Sequence, residues 1–313
     1  MNHSKQLTDG ALLTLVFMGL LLVSLFVPII PIVSIFLLPI PFIIYSSRYD
    51  WKPALIMFAF SIVMTILSTT IYTLPMTVLM GLGGIMIGSS IYRNLSAYET
   101  WARGTFGFII GLLFAFVFTQ FVFQINVIDA MEQIFNESME MSTGVIEQFT
   151  AEAQLEEIDE IMQQTIHAFV TLFPFFLATI AILMAFLSQW FSYKFLNRIE
   201  RKDLRFPPFR ELRFPNSIIF VYVIALLFAF IFTDPESLQY MATQNLLLLT
   251  QMLVTIQGFS FLFFYANYKK ITKAFPIICV VIGVLFPMML FIIRFIGIFD
   301  LGFGLRDKLA EKD

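Results

Sequence analysis

Cysteine occurs once in this 313-residue chain, at Cys279, and histidine only twice, at His3 and His167. A single thiol rules out an internal disulfide and any multi-cysteine metal or redox set. Cys279 lies in an apolar run and reads as a packing residue. No H-E-x-x-H, G-x-x-x-x-G-K-[ST] or G-x-S-x-G sequence is present, so zinc-hydrolase, phosphate-loop and nucleophile-elbow chemistry have no foothold. No acid–base set is visible either, and the chain reads as a non-enzyme with no cofactor or metal site.

Charge is scarce as well. Charged residues make up 13% of the chain and hydrophobic ones 59%, against roughly 25% and 45–50% in soluble domains. So few polar groups leave a water-facing surface uncovered, and the chain needs lipid as its solvent. Apolar segments recur from Leu12 to Ile298, which predicts one transmembrane domain over residues 1–313.

At roughly 20 apolar residues per crossing, helices are expected near 8–26, 28–45, 54–72, 74–92, 104–124, 166–193, 216–233, 241–266 and 275–297, an all-α polytopic bundle of about nine spans. Pro28, Pro31, Pro39 and Pro41 mark the second as kinked or partly re-entrant. The first has one lysine, Lys5, and no small-residue cleavage site, so it reads as a retained helix.

Lysine and arginine are confined to a few loops. These are Arg48 with Lys52, Arg93 with Arg103, the stretch 194–215, and Lys269, Lys270 with Lys273. An even number of expected spans separates each from the next, so the positive-inside rule puts all four, and the N-terminus, in the cytoplasm of a bacterial cell membrane. Between Gly104 and Tyr193 there is no Lys or Arg, while Asp129, Glu132, Glu137, Glu140, Glu147, Glu152 and further acids crowd the middle. Residues 125–165 are therefore expected outside. Ile128, Met131, Phe135 and Met139, then Leu155, Ile158 and Met162, recur at helical spacing there and predict an acidic amphipathic hairpin.

Some motifs bear on packing and binding. Gly84 with Gly88, and Gly107 with Gly111, are small residues four apart that suit close helix seams. Arg294 is the one charge expected within a span, near its end, where a long stem can snorkel. The imposed topology puts Ser68, Thr69, Tyr72, Gln120, Gln124, Gln244 and Gln251 in the outer half of the bilayer, where they can line a polar cavity for a small ligand or serve as interhelical glue. The basic stretch 194–213 suits anionic inner-leaflet lipid or a cytoplasmic partner. It carries no nucleic-acid-binding motif.

The run Thr8 through Ala11, the sequence Leu38-Pro39-Ile40-Pro41, then Tyr45, Arg48 and Tyr49, Lys52-Pro53-Ala54 and Gly81-Leu82-Gly83-Gly84 resemble the YybS-type family, multipass membrane proteins from Firmicutes. That family is distantly similar to the S components of energy-coupling-factor vitamin transporters. The S-component resemblance implies about six spans, an outward ligand cavity, and small first-helix residues that meet a coupling subunit. Gly10, Ala11 and Thr14 stand in that region, although Leu15 breaks the alanine-x-x-x-alanine pattern. The chain is thus expected to be a small-molecule binding or transport subunit partnered by an ATPase-containing coupling module or other membrane subunit. The alternative is a ligand-free membrane scaffold or regulator.

Overall fold

A computed structural model describes residues 3–27, 35–146 and 152–310. Helix α1 covers His3–Phe26, α2 Ile40–Tyr49, α3 Trp51–Ser68, α4 Leu74–Tyr92, α5 Ala97–Val122, α6 Val127–Ile146 and α7 Glu152–Thr171. Then follow α8 Phe173–Glu200, α9 Ser217–Ile231, α10 Leu238–Tyr268, α11 Ala274–Leu285, α12 Pro287–Phe303 and α13 Leu305–Ala310. Among the described residues six helices are long and apolar enough to cross a membrane, and three further apolar helices are shorter. The protein is a helical membrane bundle.

Three of the expected spans differ in form: the sixth, expected over 166–193, straddles Leu172, where α7 ends and α8 begins. The second falls partly on residues outside those described. Its described part turns at Leu38 and Pro39 before α2, whose ring-locked Pro41 sits in the first turn, where a missing N–H costs nothing. The ninth is broken: Phe286 (φ −124°, ψ 88°) leaves the helical region before Pro287 starts α12. A Cβ on Gly283 would lie 3.1 Å from the Ile293 side chain ten residues on. A straight helix would separate the two by about 15 Å, so the chain bends sharply here.

The chain forms two compact units, one of Met1–Val170 with Phe176–Phe206, the other of Thr171–Phe175 with Pro207–Asp313. In the first unit α1, α2, α3, α4, α5 and most of α8 enclose a core that includes Phe17, Leu21, Phe42, Ile43, Met80, Ile87, Phe108 and Leu196. Glycine permits the close approaches. A Cβ on Gly88 would come 2.4 Å from the Ile43 carbonyl of α2, and one on Gly107 would come 2.8 Å from the Leu82 carbonyl of α4. Both glycine pairs are therefore packing seams inside the unit. Asp50, at φ 63°, lets α2 turn directly into α3. Ser96 and Glu99 form a reciprocal capping box that starts α5. Phe135 of α6 meets Phe169 of α7 at 5.2 Å between ring centroids.

The second unit is built around α10, whose Gly258 and α12's Gly297 let two backbones touch. A Cβ on either would lie 2.0 Å from the Ile293 carbonyl or 2.1 Å from that of Val254. Asn245 of α10 accepts from the Phe175 amide at 2.7 Å and donates to the Thr171 carbonyl at 2.7 Å.

Candidate functional site

One end of the first unit is held by charge. Arg48 Nη1 donates to Asp9 Oδ2 at 3.0 Å, Arg48 Nε donates to Glu200, and Tyr49 donates to the same Asp9 oxygen at 2.9 Å. Lys202 sits 2.9 Å from the other Glu200 oxygen, and Arg93 lies 3.6 Å from Asp50. The start of α1, the α2–α3 junction, the end of α4 and the end of α8 therefore share one end of the unit. This is the grouping that the even spacing requires of the N-terminus and the first three basic loops.

The opposite end, where α5 runs into the acidic helix α6, is rich in hydroxyls and amides. On α3 and at its C-cap, Ser61, Thr65 and Thr69 follow at four-residue spacing. Thr65 and Thr77 share a hydrogen bond of 2.9 Å, and Thr69 and Thr73 one of 2.6 Å. These hydroxyls are interhelical and turn glue. Around them Ser68, Gln120 and Gln124 are exposed, and Tyr72 is 69% exposed. The Tyr72 ring meets Phe123 at 4.5 Å between centroids, which joins the α3–α4 turn to the end of α5. Five of the seven candidate residues are thus gathered at one rim: Ser68, Thr69, Tyr72, Gln120 and Gln124. Gln244 and Gln251 lie half-buried on α10 in the second unit.

Three polar groups that sequence reasoning passed over sit deeper in the first unit. Thr100, Ser188 and Gln189 are fully buried, and Thr100 Oγ1, Ser188 Oγ and Gln189 Oε1 have no hydrogen-bond partner among the described residues. The Gln189 amide nitrogen donates to the Ala97 carbonyl at 2.9 Å and to Tyr193 at 2.7 Å. Their signal was the four-residue spacing of Ser188 and Ser192 on α8, which places both on one face.

The second unit holds a buried ion pair. Asp300 Oδ2 accepts from Arg306 Nε at 2.9 Å and from Gln257 Nε2 at 2.6 Å. Arg306 also donates to the Arg210 carbonyl at 2.7 Å and to Ser260 Oγ at 3.0 Å. Asp300 lies within α12, not beyond it, and is 1% exposed. Arg294 is half-buried with its Nε unpartnered. Outside the spans, Arg213 donates to both Asp307 oxygens, at 2.9 and 2.6 Å, and holds that carboxyl below its ordinary range. Among the described residues no three His, Cys, Asp or Glu side chains gather as a metal set.

The small first-helix residues divide. Gly10 is buried, and a Cβ added there would lie 3.3 Å from the Tyr45 ring; Thr14 is buried and bonded to the Gly10 carbonyl at 2.9 Å. Only Ala11 of the three is exposed.

A family model described as "Predicted membrane protein (DUF2232)" matches residues 15–301. The chain is 28% identical over 309 residues, 99% of its length and 100% of the relative's, to "Uncharacterized protein YybS" of Bacillus subtilis (strain 168). No solved structure matches. With nearly its whole length inside the match, the chain belongs to the DUF2232 family of predicted membrane proteins.

Proposed function

We propose that the first unit is a small-molecule binding module of an S-component-like transport subunit. Its ligand enters at the rim of Ser68, Thr69, Tyr72, Gln120 and Gln124. The observation that carries this reading is the pairing of six apolar helices in one compact unit with a polar rim at the end away from the ion pairs. The amides of Gln120 and Gln124 make no side-chain hydrogen bond among the described residues, so their donors and acceptors are open to a small uncharged or weakly polar molecule. With no nucleotide-binding loop in the chain, uphill movement requires a partner that hydrolyses ATP. The exposed stripe of α1 at Ala11, Leu15 and Gly19 is its docking face.

Binding stabilises a native state in proportion to ligand concentration over Kd. In mild detergent, a panel of vitamins and nucleobase-like compounds should contain one that raises the melting midpoint, and Gln120→Ala with Gln124→Ala should abolish that rise. An Ala11→Trp variant should lose co-purification of an ATPase-containing module. A panel without any shift, together with recovery of the chain alone, contradicts the proposal.

The second reading is a ligand-free scaffold or regulator. It is favoured by Thr65, Thr69, Thr73 and Thr77, which satisfy one another and leave nothing for a ligand. Under it the double glutamine variant behaves as wild type in every binding assay.

A further inference from the structure

Helix α8 has 28 residues, about 42 Å at 1.5 Å per residue, against a hydrocarbon core of about 30 Å. Its last turns therefore leave the apolar layer. There the helix has two unlike faces. On the inner face Tyr193 and Leu196 are buried, Asn197 holds the Leu204 backbone through two hydrogen bonds of 2.8 Å, and Glu200 holds Arg48 and Lys202. The outer face presents Trp190, Lys194 and Arg198 at four-residue spacing, followed by Arg201, all exposed.

The structure sorts the basic residues of this stretch in a way that a count of charges does not. Lys202 is paired with Glu200, Arg210 donates to Asn267 at 2.7 Å, and Arg213 is held by Asp307. Lys194, Arg198 and Arg201 have no acidic partner among the described residues. Lys194 Nζ instead sits 3.4 Å from the centre of the Trp190 ring. Phe195 and Ile199, 41% and 58% exposed, lie beside these cations. Apolar side chains interleaved with unpaired cations suit a boundary where acyl chains meet phosphates, with the amphipathic indole at headgroup level. A free phosphate or a nucleic acid would satisfy the cations and leave Phe195 and Ile199 in water.

We propose that the outer face of the α8 terminus, Trp190, Lys194, Arg198 and Arg201, is a binding site for the headgroups of anionic phospholipids. The two guanidinium groups fork onto phosphate oxygens, and the ammonium adds a point charge. The site requires only that α8 end at a membrane surface, and it stands whether or not the first unit binds a ligand.

The full chain in phosphatidylcholine liposomes tests it, on a Trp51→Phe, Trp101→Phe background in which Trp190 is the one tryptophan, excited selectively over the tyrosines. Brominated phosphatidylglycerol should quench Trp190 more than brominated phosphatidylcholine at equal mole fraction, with a preference of at least about fivefold from one basic residue near the surface. Lys194→Gln, Arg198→Gln, Arg201→Gln together should equalise the two lipids, while Lys194→Arg keeps the preference. Should the triple variant fail to fold, Arg198→Gln alone must lower the preference. Equal quenching in the parent, a preference that survives the triple variant, or one removed by excess inorganic phosphate each overturns the proposal.

Discussion

Arg48 and Asp9, 39 residues apart in sequence, are joined at 3.0 Å, and the same guanidinium reaches Glu200 at the far end of α8. One arginine thus fastens three helices that the sequence holds well apart. Removing the hub should cost more than removing either spoke, because Asp9 then loses its counter-charge while Glu200 keeps only Lys202. Arg48→Met is expected to lower stability by about 2–3 kcal/mol and Asp9→Asn by about 1 kcal/mol, read as melting midpoints in mild detergent. Equal effects would mean that the three groups do not act as a unit.

The Asp300–Arg306 pair offers a sharper contrast, since both groups are removed from solvent. Arg306→Met strands a buried carboxylate and should cost about 3–5 kcal/mol, whereas Asp300→Leu with Arg306→Met removes both charges and should recover most of the loss. Double-mutant analysis of melting midpoints measures the coupling.

Glycine substitutions test the close crossing of α10 and α12. Gly297→Ala puts a methyl group 2.1 Å from the Val254 carbonyl, so two backbones must part, at a cost of about 1–3 kcal/mol or more. Gly19→Ala meets nothing within 4 Å, and in a helix interior it should be neutral or stabilising by up to about 1 kcal/mol. Thermal melts of the two variants side by side decide it.

Arg213 holds the Asp307 carboxyl below its usual range, so this clasp has a predictable pH dependence. A carboxyl with a lowered folded-state value contributes fully above its unfolded value, near 3.9 for aspartate, and the contribution disappears as pH falls through the lowered one. Amide protection factors in residues 305–310 should therefore be high at neutral pH and fall only below about pH 4. In Asp307→Asn they should be low throughout.

The fold was legible where physics acts locally. Apolar length marked the spans, and Gly84, Gly88, Gly107 and Gly111 marked two of the seams, because both are properties of one helix. The parity of the basic loops foretold that Arg48, Arg93 and Glu200 would share an end. The division into two units left no local trace, since it depends on which helices pack together. The break at Phe286 was signalled by Pro287, but apolar residues on both sides hid it. Asp300 was missed because its partner, Arg306, lies beyond the turn at Gly304, and only tertiary structure buries the pair. Gly10 and Thr14 illustrate the reverse error: small residues suited to a partner's helix are occupied by the chain's own Tyr45 and backbone.

We propose that the first unit crosses the bilayer with its ion-paired end in the cytoplasm and its polar rim outside. Cysteine accessibility in intact cells measures this directly on a Cys279→Ser background. Single cysteines replacing the exposed residues Gln124 and Asn136 should react with a membrane-impermeant maleimide, and those replacing Lys52 and Asp203 should react only after permeabilisation. Labelling of Lys52→Cys and Asp203→Cys in intact cells, with Gln124→Cys and Asn136→Cys protected, would contradict it.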